Sequence, residues 1–247
     1  MDSESIITRR GKARVAALAA AVGLAVAVPQ ASAQNGSPFF LEFDEVEIFI
    51  EINATDGDAG LQALLDAEGW KFVTIYGPDW RRVLSVRANS GLRRQGVTEI
   101  FFESSEPSFD EQPLEDFLDR FPAGEYKFFG MTVDGTFLFG TSELTHDLPD
   151  QPEILTPEEE AEVSADDDLV VTWNPVTTPA GIEIVGYEVV VEGGDPERVF
   201  SVEVSADRTS QTVPADFFDP ASDYKVELIA IEESNNKTIT EHEFTTE

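Results

Sequence analysis

The residue types best suited to chemistry stand in the run N-A-T-D-G-D-A-G, which begins at Asn53. Asn53, Asp56 and Asp58 bring side-chain oxygens to a glycine-rich loop, and such oxygens suit a hard cation such as Ca²⁺. Glu51 and Asp66 offer two further carboxylates. The loop is not an EF-hand, because the D-x-D-x-D-G spacing and the closing Glu are missing. An ordinary Asx- and Gly-rich turn fits the same residues, so the sequence predicts either a calcium site at Asn53, Asp56 and Asp58 or a plain turn.

Other kinds of reactive site find little support in the residue types. The chain has no cysteine, which excludes disulfides, thiolate catalysis and cysteine-bound zinc. The two histidines, His146 and His242, stand beside no serine or second ligand in a motif arrangement. Acidic residues are too numerous for any pair to identify a general acid and base, and a hydrolase would need a cleft holding a carboxyl group of strongly raised pKa. The sequence therefore predicts a protein that is not an enzyme and has no cofactor, calcium apart.

Three aromatic residues are candidates for binding a glycan. Trp70, Tyr76 and Trp80 lie close together in the sequence, and Trp80 follows the turn-forming residues Gly77-Pro78-Asp79. We expect Trp80 to be the most exposed of the three for that reason. A row of exposed rings would favour a glycan as the ligand, whereas burial of the rings would remove this interpretation.

The basic residues are distributed unevenly. Five arginines fall within one stretch of 14 positions: Arg81, Arg82, Arg87, Arg93 and Arg94. Charges on strand edges discourage sheets from pairing with one another, which is one interpretation of this stretch. The other interpretation is a face that binds an anion or a partner and that could also meet the acidic second half of the chain.

The net charge excludes two classes of partner. The chain has 49 acidic and 16 basic residues, for a formal charge of −33. Removal of residues 1–33 takes away two acidic and four basic residues, which leaves 47 and 12 and a net charge of −35. A binder of nucleic acid needs a basic footprint, and anionic lipid attracts basic rather than acidic surfaces. We therefore expect no nucleic-acid partner and no docking on a membrane.

The N-terminus has the three parts of a secretory signal peptide. Four basic residues precede an apolar run over Val15–Val28, and Ala31-Ser32-Ala33 supplies the small-x-small pattern of a cleavage site. The apolar run is shorter than the ~20 residues that span a membrane comfortably. The sequence predicts cleavage between Ala33 and Gln34 and an exported protein, which is secreted, periplasmic or held at the cell surface.

The first half of the mature chain alternates between strand-like runs and turns. The clearest run is E-V-E-I-F-I-E-I at Glu45–Ile52, whose period of two fits a strand with one buried face. A helix is predicted over Leu114–Phe121, where apolar residues recur at helical spacing. The remaining strands are predicted at Leu61–Leu65, Trp70–Tyr76, Val83–Ala88, Glu99–Glu103, Glu125–Thr132 and Thr136–Leu144. Many short strands in sequence indicate an antiparallel sandwich.

A Pro- and acid-rich segment over Pro149–Pro157 is predicted to be a linker to a second set of strands. That second set carries a Trp in its second strand (Trp173), a Gly-Tyr at the start of its third (Gly186-Tyr187) and the run F-D-P-A-S-D-Y at Phe218–Tyr224. In this order and spacing, Pro152–Glu247 resembles the fibronectin type III family, with Phe and Ser in place of the usual Leu and Thr of the last motif. The resemblance implies a seven-stranded sandwich that acts as a spacer or binding module, and no enzymatic activity. It also implies that Tyr224 is a tyrosine corner, whose hydroxyl bonds back to the preceding turn.

Together these patterns predict an all-β protein of two tandem antiparallel β-sandwiches after a signal peptide. The predicted divisions are a signal peptide at 1–33, an immunoglobulin-like sandwich with one short helix at 34–148, and a fibronectin type III-like domain at 149–247. The predicted function is a non-enzymatic exported binding or structural module, with an extracellular protein or a glycan as partner. The alternatives are a carbohydrate-binding accessory protein and a calcium-dependent adhesion module.

Overall fold

The computed structural model of the protein describes residues 40–247, so the predicted signal peptide and its cleavage after Ala33 lie outside the described residues. The described residues belong to one compact unit. Nearly all of their regular structure is strand, arranged in sandwich-like sheets, which confirms the all-β class. Within residues 40–247, no helix is both long and apolar enough to cross a membrane.

The first sandwich combines seven strands with two short helices. They are β1 (Phe40–Glu42), β2 (Glu45–Asn53), β3 (Asp58–Tyr76), β4 (Arg82–Arg87), α1 (Ser90–Gln95), β5 (Val97–Glu103), α2 (Leu114–Arg120), β6 (Gly124–Thr132) and β7 (Phe137–Leu144). The predicted alternation of β2 is confirmed, since Ile48, Ile50 and Ile52 all enter the first hydrophobic core. The centre of that core is Trp70, which is completely buried.

The long strand β3 belongs to both sheets of the first sandwich. Its first half pairs with β2 and β5, and its second half pairs with β4 and β6. The pairing register shifts between Asp66 and Trp70, where the strand passes from one sheet to the other. The prediction of two separate strands was therefore wrong, because the segment between them continues the strand. Gly69 lies in this segment, close to the backbone of Gly96. A Cβ atom at Gly69 would lie 3.5 Å from the Cα of Gly96, which is an ordinary contact distance.

One of the two helices could be predicted from the sequence, and the other could not. The predicted helix is confirmed as α2, and it packs Phe117 into the first core beside Leu114 and Leu118. The helix α1 was not predicted, because none of its residues is buried and no apolar periodicity marks it. Its sequence signals are Asn89 at the N-cap position and Gly96 after its end.

The second sandwich has a three-stranded and a four-stranded sheet. Its strands are β8 (Glu153–Thr156), β9 (Ala161–Val163), β10 (Leu169–Asn174), β11 (Ile184–Gly193), β12 (Arg198–Ser205), β13 (Ser210–Val213), β14 (Asp223–Glu232) and β15 (Lys237–Thr246), with a 3₁₀ helix at Ala215–Phe217. One sheet has the order β13-β10-β8, and the other includes the order β12-β11-β14-β15. Side chains from both sheets share the second hydrophobic core. These seven strands, with the short β9 beside β15, match the arrangement that the resemblance implies.

The tyrosine corner predicted at Tyr224 is present, and a similar corner closes in the first sandwich at Tyr126. Tyr224 is buried, and its hydroxyl accepts a hydrogen bond from the backbone N–H of Asp219 at 2.7 Å. In the first sandwich, the hydroxyl of Tyr126 donates to the carbonyl oxygen of Pro122 at 3.2 Å. Trp173 is also buried, 5.5 Å from the ring of Tyr187. Trp173 and Tyr224 therefore both belong to the second hydrophobic core, and the predicted tyrosine corner is confirmed.

The segment predicted to be a linker is part of the folded structure. It contains β8, and the hydroxyl of Thr238 donates to the carbonyl oxygen of Pro149 at 2.7 Å. Near it, β15 pairs in parallel with β2, so one sheet continues through both sandwiches. The buried Asn236 reinforces this junction by accepting from the N–H of Ile50 at 2.8 Å and donating to the carbonyl of Thr145 at 3.2 Å. The linker prediction was wrong, because composition does not reveal that this polar segment fills a junction.

Candidate functional site

One outer sheet surface of the first sandwich carries a group of aromatic side chains. This surface is formed by β1, β7, β6, the second half of β3, β4 and the turn before β4. We call it the aromatic face. Its aromatic members are Phe40, Phe72, Tyr76, Trp80, Phe129, Phe137 and Phe139.

Strand alternation places these rings on the outer side of the sheet. In β7, Leu138 points into the first core while Phe137 and Phe139 are exposed. In β6, the buried Phe128 alternates with the half-buried Phe129. Strands with two apolar faces are normally covered on both sides. Here no element among residues 40–247 covers the outer side of the sheet. The side chain of Phe40 is exposed to 67% and that of Trp80 to 60%.

The rings contact one another across the strands. The ring of Phe129 has its centroid 5.9 Å from that of Tyr76, 6.4 Å from that of Trp80 and 5.4 Å from that of Phe139. At the sheet edge, Phe40 stacks on Phe137 with a centroid distance of 5.7 Å. Such distances are those of paired aromatic rings, so the side chains hold each other in fixed positions.

Trp80 is held in an unusual backbone conformation. Its φ of 63° lies in the left-handed region, which is uncommon for a bulky residue. The turn is closed by a hydrogen bond from the Trp80 N–H to the carbonyl of Gly77 at 3.0 Å, and the N–H of Gly77 donates to the carbonyl of Arg81. The ammonium group of Lys127 lies 4.9 Å from the centroid of the Trp80 ring. The turn therefore presents the indole to solvent in a defined place.

A groove runs beside the exposed sheet edge of the aromatic face. It has a volume of about 390 Å³ and is lined by Phe40, Leu41, Glu42, Phe129 and Phe139. Its lining is apolar apart from Glu42, whose carboxylate can accept hydrogen bonds. A ligand in this groove would contact ring faces and one carboxylate.

The predicted glycan-binding residues divide between surface and core. Trp80 and Tyr76 lie on the aromatic face, and the expected exposure of Trp80 is confirmed. The prediction of Trp70 as a glycan-binding residue was wrong, since Trp70 is fully buried and its indole N–H donates to the carbonyl of Thr98 at 3.1 Å. Sequence reasoning missed the five phenylalanines. Their signal was the F-L-F run of β7 beside F-F in β6, joined by the Asp134-Gly135 turn.

The arginine-rich stretch borders the aromatic face. On β4, Arg87 lies opposite Phe72, with its guanidinium carbon 5.2 Å from the ring centroid. Arg82 is the register partner of Tyr76. Arg81 forms an ion pair with Asp79 at 3.1 Å. Within residues 40–247, neither Arg82 nor Arg87 forms an ion pair with a carboxylate, although the protein is rich in them. Arg93 and Arg94 are exposed on α1.

The predicted calcium loop is a tight turn at the junction between the sandwiches. Asn53 pairs with Asp58 across a short hairpin, so Asp58 and Gly60 belong to β3 and not to a loop. The amide oxygen of Asn53 accepts from the N–H groups of Thr55 and Asp56, at 3.0 and 3.1 Å, and its amide nitrogen donates to Glu241. The segment is therefore a turn closed by the side chain of Asn53, and it is shorter than the predicted loop because Asp58 and Gly60 lie in β3.

Calcium ligation by Asn53, Asp56 and Asp58 stays a prediction. A melting curve with Ca²⁺, with Mg²⁺ at equal ionic strength, and with Ca²⁺ on the Asp56→Asn/Asp58→Asn double variant tests it. A shift that is specific to Ca²⁺ and lost in the double variant supports ligation, whereas a shift that Mg²⁺ reproduces assigns the segment to a turn. Asp66 pairs with Glu45 at the far end of the hairpin, away from this turn.

A neighbouring group of carboxylates is brought together by the fold. Carboxylate oxygens of Glu51, Glu103 and Glu106 lie within 4.8 Å of one another. Burial raises the pKa of Glu51 to about 7, with Glu103 adding to the rise and Lys237 opposing it. Burial, Glu103 and Asp58 raise the pKa of Glu106 to about 8. The sequence distance between β2 and the segment after β5 hid this cluster from sequence analysis.

Both histidines hydrogen-bond to backbone carbonyls. His146 Nε2 lies 2.9 Å from the oxygen of Phe121, and His242 Nδ1 lies 2.9 Å from the oxygen of Pro157. These contacts hold segments of chain together.

Comparisons with family models and with curated proteins found no match. Among solved structures, fibronectin(III)-like modules of CbhA from Clostridium thermocellum are 10% identical, with 82% of this chain and 95% of that chain covered at a TM-score of 0.33. A two-domain fibronectin type III segment of chicken tenascin is 12% identical, with 83% and 99% covered at 0.30. The FN1-FN3 domains of chicken CNTN1 are 15% identical, with 83% of this chain and 64% of that chain covered at 0.32. At these TM-scores the similarity assigns no family, so the description of the fold depends on the strands themselves.

Proposed function

We propose that this chain is an exported, non-enzymatic binding module whose aromatic face holds a glycan. The observation that carries the proposal is the group of seven aromatic side chains on one open side of a sheet. Soluble proteins seldom leave a contiguous apolar surface of this kind uncovered unless it binds something. The ligand-binding role is therefore assigned to the first sandwich.

The chemistry of the aromatic face suits sugar rings. The faces of aromatic rings carry a negative quadrupole that attracts the weakly positive C–H groups on one side of a pyranose. Hydroxyl groups at the rim of a sugar need donors and acceptors, and the face offers them beside the rings. Thr74 and Ser85 lie on neighbouring strands there, with their hydroxyl oxygens 3.1 Å apart, and Glu42 lines the groove.

A protein partner is the second candidate, because aromatic residues are also enriched at protein interfaces. Lysine, however, is depleted at such interfaces. Here Lys127 lies against a ring of the face, 4.9 Å from the centroid of Trp80. This mixture of open rings and polar groups favours a glycan.

Two further features support the proposal. The sequence of residues 1–33 has the order of a secretory signal, which fits export to where polysaccharides occur. Both histidines bond backbone carbonyls, and neither reaches a nucleophile among residues 40–247. A binding role requires neither a catalytic histidine nor a nucleophile.

The test is binding of the purified mature chain to an array of polysaccharides. The decisive variant is Trp80→Ala/Phe139→Ala, which removes two exposed rings and is expected to lower affinity at least tenfold, about 1.4 kcal/mol. The matched control is Phe101→Ala, because Phe101 is 41% exposed but lies on β5, outside the aromatic face. Equal binding of the polysaccharides by the wild type and the double variant would overturn the proposal. So would a wild type that binds protein partners but no polysaccharide.

A further inference from the structure

The basic residues of the first sandwich are not spread evenly over its surface. Four of them lie on or beside the aromatic face: Arg81, Arg82, Arg87 and Lys127. Residues 149–247, by contrast, contain 25 acidic and four basic residues. The aromatic face is therefore bordered by positive charge in a protein whose net charge is −33.

Two of these four cations are already engaged with carboxylates. Arg81 pairs with Asp79 at 3.1 Å, and Lys127 pairs with Glu125 at 3.1 Å. Arg82 and Arg87 form no such pair within residues 40–247, and both are exposed. A guanidinium presents a planar fork of N–H donors that matches a carboxylate, so each of the two is available for an anionic group of a ligand.

The position of the two arginines relates them to the rings. Arg87 lies over the ring of Phe72, and Arg82 is opposite Tyr76 on the neighbouring strand. Their partners Phe72 and Tyr76 are four positions apart on β3, which corresponds to ~13 Å of extended strand. Carboxylates that reach both must therefore stand on different units of an extended ligand that also covers the rings.

We infer that the aromatic face takes an acidic polysaccharide, whose sugar rings stack on the aromatic side chains and whose carboxylates meet Arg82 and Arg87. This inference rests on the function proposed above and adds the chemical class of the glycan. A second copy of the chain is a poor occupant, because two molecules of charge −33 repel each other. A strand of nucleic acid also has flat rings, and its phosphates suit a guanidinium as a carboxylate does, but its dense backbone charge would be repelled by the acidic remainder of the protein surface, so it is an outcome of the test.

The experiment compares polygalacturonate with its methyl-esterified form. Esterification removes the negative charge and leaves the sugar ring in place, so the pair isolates the carboxylate. Calorimetric titrations of the mature chain are carried out at about 0.15 M salt, where the screening length is about 8 Å and distant charges of the protein contribute little. The wild type is expected to bind polygalacturonate about five- to tenfold more tightly than the ester.

The variant Arg82→Gln/Arg87→Gln is expected to lose this preference and to bind both polymers with the affinity that the wild type has for the ester. The matched control is Arg120→Gln/Arg208→Gln, which changes the net charge equally at exposed positions outside the aromatic face. The control is expected to retain the preference. Polyglutamate and single-stranded DNA serve as other polyanions, and both are expected to bind at least tenfold more weakly than polygalacturonate.

The failures of the two proposals are distinguishable. Equal binding of acid and ester by the wild type, with loss of both in Trp80→Ala/Phe139→Ala, would overturn the acidic ligand and retain the glycan. A preference for acid that survives in Arg82→Gln/Arg87→Gln, or equally tight binding of all polyanions, would also overturn it. If the ring variant binds every polysaccharide as the wild type does, the function proposed above fails as well.

Discussion

The two sandwiches use aromatic rings in opposite ways. In the second sandwich the rings meet inside the core, where Phe218, Tyr224 and Phe244 contact one another at centroid distances of 5.1 to 6.1 Å. In the first sandwich the chain of contacts through Phe129 and Trp80 lies on the outside. The first core is filled mainly by aliphatic side chains around Trp70, Tyr126 and Phe128.

The contrast shows that the number of aromatic residues in a strand does not reveal their role. Rings inside a core contribute burial and packing to stability, and their loss leaves a cavity. Rings on an open face contribute little to folding, so a different cause must account for them. In the first sandwich we assign that cause to binding.

The largest expected effect comes from an inner ring. Trp173→Ala should reduce the free energy of unfolding by about 3–5 kcal/mol, because it removes a buried indole from the second core. The outer-ring counterpart Phe139→Ala should cost less than about 1 kcal/mol, since the side chain is 38% exposed. Urea denaturation of both variants measures the difference. Similar losses for the two would break the contrast between the sandwiches.

A second comparison concerns how each sandwich accommodates carboxylates. In the second, the ammonium of Lys225 contacts Glu192 at 3.1 Å, Glu227 at 2.5 Å and Glu241 at 3.4 Å. Burial alone would lower the pKa of Lys225, but these glutamates raise it overall. Lys225→Met should therefore cost roughly 2–4 kcal/mol in urea denaturation, because three partly buried carboxylates lose their common cation. A cost below about 0.5 kcal/mol would mean that the network is held by water instead.

The carboxylates of the first sandwich predict a pH dependence. The folded protein holds the pKa of Glu51 at about 7, above its ordinary value of 4.5, so the folded state binds a proton that the unfolded state releases. The resulting stability is fully present below about pH 4.5 and is lost as the pH rises through 7. Glu51→Gln should exceed the wild type by less than about 1 kcal/mol at pH 5, where the loss has only begun, and by about 1–3 kcal/mol at pH 8.

The control for this experiment is Glu99→Gln, which removes an exposed carboxylate from β5. Thermal unfolding between pH 5 and 8 gives the profile of each protein. Profiles of wild type and Glu51→Gln that run parallel over this interval would show that Glu51 does not carry the pH dependence.

Sequence patterns predicted the parts of the fold that depend on local alternation. The period of two in β2 and the spacing of Leu114, Phe117 and Leu118 in α2 identify each element and its buried side. The bend of β3 was not predicted, because it arises where two sheets share one strand. The role of Asn236 was hidden for a similar reason, since its partners Ile50 and Thr145 are distant in sequence.

The candidate site was only half visible in the sequence. Trp80 follows a recognisable turn, so its exposure could be expected. Trp70 is buried although it was a candidate for the surface, and the exposed Phe139 was missed, because a strand pattern gives two faces but does not say which face the rest of the protein covers. Helix α2 and strands β2 and β5 determine which face is buried, because they close the core on the side of Trp70.

The central claim is that rings on the open face of the first sandwich contact the ligand, and tryptophan fluorescence tests it most directly. The protein has three tryptophans, of which Trp70 and Trp173 are buried and Trp80 is 60% exposed. Acrylamide should therefore quench mainly Trp80. The account predicts that a saturating polysaccharide, polygalacturonate in the first instance, protects this fluorescence and that Trp80→Ala abolishes both the quenching and the protection. Binding that leaves the quenching of Trp80 unchanged would contradict the account.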